Sequence, residues 1–228
     1  MIRKFIVTIL ALGTAVGLAL SAAPGVAAAD ESVTSRVLGS IDIAPGSHSG
    51  DVSTVNGSVH IGADAVVGHA RSVNGGVHME SRASAAELDT VNGGIQVQDG
   101  GRVAGDVATV NGGLKIENGA DVSGDVHNIN GGIHVAAAHV GGSIRTVSGS
   151  IQLGPDAHVD GDVVVKKDSG YHSIGDEHIP YVVIAPGTVV KGRLRFERKV
   201  VLYVSDRATI GPVDGAEVLK FSGAHPPR

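Results

Sequence analysis

Six short segments of nearly identical sequence recur at a spacing of 18 or 19 residues, and that spacing constrains the fold more than any other feature of the chain. They are Val55-Asn56-Gly57-Ser58-Val59, Val73-Asn74-Gly75-Gly76-Val77, Val91-Asn92-Gly93-Gly94-Ile95, Val110-Asn111-Gly112-Gly113-Leu114, Ile129-Asn130-Gly131-Gly132-Ile133 and Val147-Ser148-Gly149-Ser150-Ile151. Their first residues lie 18, 18, 19, 19 and 18 positions apart, and a degenerate copy, Val37-Leu38-Gly39-Ser40-Ile41, stands 18 residues upstream. Each period runs apolar-x-x-apolar-Asn-Gly-Gly-apolar-x-apolar, then a Gly- or Ala-rich stretch and one more apolar residue, as in Val107, Val110, Leu114, Ile116 and Val122.

Alternation such as Leu114-Lys115-Ile116 is the period of a strand, and no stretch after residue 30 holds a helical period. Three short strands with a turn after each fill one period. Asn-Gly tolerates positive φ, so one corner of the coil can fold without strain. Stacking the coils pairs each strand with its copies about 4.8 Å above and below and turns the apolar positions into continuous columns. The expected fold is all-β: a single-stranded parallel β-helix (β-solenoid) of about nine coils, with 18–19 residues and three short strands per coil. Composition agrees, since aromatic residues are 3% of the chain against 34 glycines, which leaves Val, Ile, Leu and Ala to build the core.

The solenoid is expected over residues 30–215. Before it, Met1-Ile2-Arg3-Lys4, an apolar run from Phe5 to about Leu20 and a small-residue exit at Ala27-Ala28-Ala29 have the three parts of a secretory signal peptide, giving residues 1–29 as that segment with cleavage after Ala29. No later apolar run is long enough to span a bilayer, so no membrane span is expected after cleavage. The register breaks after Val165, and residues 166–179 read as an inserted loop. It resumes in Val182-Val183-Ile184-Ala185-Pro186-Gly187, which aligns with Ile151-Gln152-Leu153-Gly154-Pro155-Asp156 at a shift of 31. Residues 216–228 are expected to be a C-terminal cap and a disordered end.

Two bacterial repeat families share these motifs. Ser53-Thr54-Val55-Asn56-Gly57, Asp89-Thr90-Val91-Asn92-Gly93-Gly94-Ile95 and Ala108-Thr109-Val110-Asn111-Gly112-Gly113-Leu114 resemble the repeats of the DUF4097 adhesin-like family. Gly119-Ala120-Asp121-Val122-Ser123-Gly124-Asp125-Val126 and Ala157-His158-Val159-Asp160-Gly161-Asp162-Val163 resemble those of the bactofilins, polymer-forming bacterial cytoskeletal proteins. The bactofilin resemblance implies a triangular β-helix that polymerises end to end. Neither resemblance implies a catalytic residue.

Few residues suggest chemistry. Asn56, Asn74, Asn92, Asn111 and Asn130 should stack as a structural amide ladder, each side chain donating to one neighbour and accepting from the other. His60, His78, Gln96, Lys115, His134 and Gln152 should share one outward column, but a metal site needs three or four ligands and the rung after the two histidines is Gln96, so no metal is expected. The acidic column Asp51, Glu87, Asp106, Asp125 and Asp162, interrupted by His69 and Ser143, lacks the calcium-binding nonapeptide pattern and reads as turn-forming and edge-protecting acids. The candidate loop site is Asp168, Tyr171, His172, Asp176, Glu177 and His178, because function concentrates in excursions from a rigid scaffold.

Charge is uneven along the axis. Residues 30–165 carry 6 basic and 16 acidic side chains; from Lys166 onward there are 10 basic and 7 acidic. Without Arg3 and Lys4 the chain is net acidic, which argues against nucleic-acid binding. Unlike ends favour head-to-tail association, which propagates where it does not close. No cofactor and no catalytic residue is expected. The function expected is that of a non-catalytic exported protein of the cell envelope, periplasmic or secreted, acting as an adhesive, scaffolding or self-assembling β-helix with a possible envelope or surface ligand. The alternative is an acyltransferase resembling the hexapeptide-repeat enzymes and using the 166–179 loop, suggested by Ile61-Gly62-Ala63-Asp64-Ala65-Val66 and Ile184-Ala185-Pro186-Gly187-Thr188-Val189. A polysaccharide lyase is weaker still, because the chain has too few aromatic residues for sugar platforms.

Overall fold

The structure, a computed structural model, describes residues 33–167 and 179–227. These residues form strands and turns with no helix, and all the strand pairings are parallel. Residues 1–29, expected to be a signal peptide, lie outside the described residues, as does most of the expected 166–179 insertion.

Each of the first nine coils contributes a strand to each of three faces, and the last contributes to two. Face 1 begins with Thr34–Leu38 and Val52–Asn56, and continues through the later halves of Val66–Asn74 and Ser84–Asn92 to Val213–Asp214. Face 2 is a ten-stranded parallel sheet from Ile41–Ile43 to Val218–Phe221. Face 3 runs from His48–Ser49 to Thr209–Ile210. Face 2 therefore has ten rungs, one more than the nine coils expected. The extra rung is Val218–Phe221, which pairs with Leu202–Ser205. Its offset there is 16 residues and it carries no Asn-Gly pair, so neither the 18–19-residue spacing nor the corner motif of the central coils marks it.

Register follows the repeat. Leu114 lies between Ile95 and Ile133, and Ile116 lies between Val97 and Val135. The inward positions thereby become columns. One contains Ile61, Met79, Val97, Ile116, Val135, Leu153, Ile184 and Val204, each at most 1% exposed. Burying a side chain of this size stabilises by roughly 1.5–3 kcal/mol. No coil can bury its apolar residues alone, because each needs the coils above and below as cover. Beyond the insertion the ladder resumes with Ile151 opposite Val182, Val159 opposite Val190 and Val163 opposite Leu194.

The three corners solve different problems. The corner from face 2 to face 3 in seven coils has a left-handed residue three positions after the strand. Gly46, Asp64, Arg82, Gly100, Gly119, Asp156 and Gly187 occupy that position with φ between 59° and 78°. The Asn-Gly corner, between faces 1 and 2, is different. Gly57, Gly93 and Gly112 lie outside the left-handed region there, yet a Cβ on any of them would collide with a carbonyl oxygen of the coil below: Gly39, Gly75 and Gly93 respectively. Glycine is required at these three positions by the close approach of stacked backbones, rather than by the positive φ expected from the sequence. The second glycine of the pair is tight at Gly76 and Gly94, where a Cβ would meet a carbonyl oxygen at 2.9 and 3.0 Å, and under less pressure in the next two coils. A Cβ on Gly113 or Gly132 would find its nearest atom at 3.5 or 3.8 Å, and neither φ is left-handed.

A paired substitution separates these roles. Gly112→Ala should lower the unfolding free energy by roughly 1–3 kcal/mol, the range for overpacking a tight site. Gly113→Ala should leave it unchanged or raise it by about 0.4–1 kcal/mol through lost unfolded-state entropy. Urea unfolding of the two variants beside the parent measures the contrast; equal effects would contradict it.

Candidate functional site

The asparagine column lies on the exposed outside of the face 1–face 2 corner, because Asn56, Asn74, Asn92, Asn111 and Asn130 each precede the corner glycine. Each Nδ2 donates to the Oδ1 of the asparagine one coil below, at 2.9 Å for Asn74, 3.0 Å for Asn92 and Asn111, and 2.9 Å for Asn130. At the foot of the ladder, Asn56 donates to the Val37 carbonyl at 3.5 Å.

A second ladder on the inside of the same corner was not foreseen from the sequence. Thr54, Ser72, Thr90 and Thr109 are buried, and their hydroxyls donate to the carbonyls of Gly39, Gly57, Gly75 and Gly93 at 2.7–2.9 Å. The visible signal is a Thr or Ser two residues before Asn56, Asn74, Asn92 and Asn111; before Asn130 the place is taken by Asn128, whose Nδ2 donates to the Gly112 carbonyl at 3.3 Å. Since a buried hydroxyl without a partner is costly, the inner and outer ladders fix the corner from both sides.

The acidic column lies at the face 3–face 1 corner, where its side chains accept backbone N–H groups of the next coil. Asp51 Oδ1 accepts from His69 N at 2.8 Å, Asp106 Oδ1 from Asp125 N at 2.8 Å, Asp125 Oδ1 from Ser143 N at 2.7 Å and Asp162 Oδ1 from Arg193 N at 2.8 Å. Ser143 takes a place in the series by accepting from Asp162 N at 3.1 Å. Burial pushes the Asp125 carboxyl up, but the Ser143 N–H and the Arg145 guanidinium outweigh it and hold that carboxyl below its ordinary value. Glu87 instead pairs with His69 Nδ1 at 3.1 Å and lies beside Asp89, which Arg71 Nε contacts at 3.2 Å. Burial, reinforced by the Glu87 charge, pushes the Asp89 carboxyl up to about 6. On face 3, His139 bridges Asp121 at 2.5 Å and Asp160 at 3.4 Å, and Lys191 continues the chain to Asp160 at 2.8 Å. The hydrogen bond to Asp121 raises the His139 pKa above its ordinary value.

Face 2 carries the outward column His60, His78, Gln96, Lys115, His134 and Gln152, adjacent rung by rung. The His60 and His78 rings are 5.0 Å apart and tilted, with Gln98 Nε2 2.8 Å from His78 Nε2. No group of three His, Asp or Glu side chains fit to hold a metal ion occurs among the described residues. Beside this column runs the strip of second glycines, Gly76, Gly94, Gly113 and Gly132, with Ser58 and Ser150 at its ends. Column and strip form one open groove of about 630 Å³, closed at the upper end by Tyr181, whose hydroxyl accepts from Gln152 Nε2 at 2.9 Å.

The candidate loop residues Asp168, Tyr171, His172, Asp176, Glu177 and His178 lie outside the described residues. In the chain their segment follows Val163–Val165 of face 1 and precedes Tyr181–Ile184 of face 2.

Both ends of the ladder are open among the described residues. Thr34–Leu38 and Ile41–Ile43 pair only with the coil above, and Val213–Asp214 and Val218–Phe221 only with the coil below. Val37 and Leu38 in the first coil are 59% and 75% exposed, and Leu219 in the last is 40% exposed. Comparisons with known protein families, with curated proteins and with solved structures found no match for this chain.

Two substitutions test this arrangement. Asn92→Ala removes the ladder contacts to Asn74 and Asn111 and should destabilise by roughly 1–2 kcal/mol, about 1 kcal/mol per hydrogen bond. Asp89 has a folded pKa raised above its unfolded value, so the stability it contributes is fully present below the unfolded value and is lost as pH rises through about 6. Asp89→Asn should therefore raise the unfolding free energy at pH 8 by on the order of 1–3 kcal/mol, seen as a higher thermal midpoint, and leave it nearly unchanged near pH 4. Thermal unfolding across that pH range measures it, and a variant less stable than the parent at pH 8 would contradict it.

Proposed function

We propose that the chain is a non-catalytic, exported protein of the bacterial cell envelope, periplasmic or secreted, that self-associates head to tail as an adhesive or scaffolding β-helix. The observation that carries this reading is the ladder left open at both ends among the described residues. A first coil with unpaired strands and exposed Val37 and Leu38 can receive the last coil of another copy, continuing the parallel register without a new kind of contact. Such a contact is heterologous, so it propagates into a filament unless a rotation closes it.

Charge supports the same direction. In residues 33–165 the side chains are 6 basic and 14 acidic, whereas 166–167 and 179–227 hold 9 basic and 4 acidic. Unlike charge along one axis steers copies into a common polarity and opposes reversed stacking. The resemblance to bactofilin repeats agrees with end-to-end polymerisation, and the basic, apolar and small-residue series over residues 1–29 supports export. The non-catalytic part of the proposal is supported by acids and hydroxyls such as Asp51, Asp106, Thr54 and Thr90, which are engaged in holding coil to coil.

Electron microscopy combined with sedimentation of the purified protein at low and high salt tests the proposal. Filaments one solenoid wide that shorten as salt is raised are expected, because screening weakens exposed charge contacts. A discrete monomer or trimer at every salt concentration contradicts it.

A further inference from the structure

We infer that the face-2 groove is a binding site for a linear acidic polysaccharide lying along the solenoid axis. This inference does not depend on head-to-tail association, since the groove lies on the side of the solenoid and is complete within one copy. It spans seven rungs, from Ser58 to Tyr181, or about 29 Å at the strand spacing.

The geometry selects an extended polymer. The groove crosses the strands at right angles, so its wall repeats every rung, about 4.8 Å. A linear pyranose chain advances by a similar distance per ring. A peptide strand could not use the groove through its main chain, because the hydrogen-bonding edges of the sheet face along the axis and are already taken between rungs. Recognition must therefore come from side chains, and the wall offers an unbroken series of groups that bond hydroxyls and carboxylates: His60, His78, Gln96, Lys115, His134 and Gln152.

Charge narrows the chemistry. Residues 33–165 carry 14 carboxylates, yet among the described residues none of them lines the groove. The lining groups that can carry charge there are three imidazoles, the Lys115 ammonium and the Tyr181 phenol. His134 is half-buried and makes no side-chain hydrogen bond or ion pair among the described residues, so its ring nitrogens are open to a ligand. Lys115 is held at 2.5 Å by Glu117, which also accepts from Gln96 Nε2 at 3.3 Å. A ligand carboxylate competes with Glu117 for both donors.

The floor supplies an independent argument. Gly113 and Gly132 have room for a Cβ and no left-handed φ, so neither stacking nor backbone conformation demands glycine there. Glycine at such a position loses more conformational freedom on folding than an alanine would. Ser58 and Ser150 occupy the equivalent positions at the two ends of the strip, which shows that the corner accepts a side chain. A bare floor beneath the middle of the groove is what a sugar ring lying flat against backbone requires.

Affinity electrophoresis and calorimetry of the purified full chain with polygalacturonate test the inference, with neutral dextran and poly-glutamate as comparisons. Binding of polygalacturonate, with little of either comparison polymer, is expected. Gly113→Glu combined with Gly132→Glu should weaken it by at least about tenfold through occlusion and like charge, with the thermal midpoint kept. Should that pair unfold, Lys115→Ala with His134→Ala is the second test and should also weaken binding. Glu117→Gln should strengthen it, by up to about fivefold, the contribution of one exposed ion pair. Absence of polygalacturonate binding, or binding indifferent to all three sets of variants, overturns the inference. Equal binding of poly-glutamate reduces the groove to a charge-attracting strip and overturns the polysaccharide assignment; equal binding of dextran overturns the acidic one.

Discussion

The structure depends on the contact between one coil and the next at the Asn-Gly corner. Backbones approach there so closely that a single Cβ on Gly57, Gly93 or Gly112 would strike the carbonyl below. That approach brings the buried Thr and Ser hydroxyls within reach of the glycine carbonyls, and it sets the asparagine amides at 2.9–3.0 Å from one another outside. Because the same contact recurs in successive coils, apolar positions fall over their copies and the core becomes a set of columns. A chain with no cysteine and few aromatic residues can be held in this way, through many similar small contacts rather than a few large ones.

Regular stacking also explains where the surface is uniform and where it is distinct. Acids at the face 3–face 1 corner are used to accept backbone N–H groups, which ties them to the fold. Asp89 is a local exception: burial beside Glu87 leaves it poorly solvated, and Arg71 offsets only part of that penalty. Face 2 differs because its outward column carries imidazole, amide and ammonium groups over a floor of glycine. The two ends differ again, since among the described residues their strands lack partners on one side. On the proposed reading, sides and ends serve separate purposes: the ends would join copies, and the groove would take a long ligand running along the same axis.

Much of the fold was legible in the sequence because its period is short and nearly constant. The Asn-Gly segments mark one corner, and the alternation in Leu114-Lys115-Ile116 marks face 2, so the outward neighbours His60, His78 and Gln96 could be named from spacing alone. The tenth rung could not be read, since Val218–Phe221 sits at an offset of 16 without the corner motif. The reason for Gly57, Gly93 and Gly112 was also hidden: the sequence suggests the positive φ that Gly39 and Gly131 do adopt, whereas these three positions require an absent Cβ. The threonine ladder was present as a repeated letter, but an alternating pattern does not distinguish a Thr that faces inward to a carbonyl from one that faces solvent. The groove emerges only when second glycines distant in sequence are stacked beside the histidine column.

Hydrogen exchange of the purified protein, followed amide by amide at low and high protein concentration, tests most directly whether the open ends are the joining surfaces. The account predicts slow exchange in the middle rungs at both concentrations. The first and last rungs, 34–43 and 209–221, should exchange fast when dilute and gain protection together on concentration, losing it again in high salt. Protection gained along face 1, 2 or 3 while both ends stay fast would contradict it.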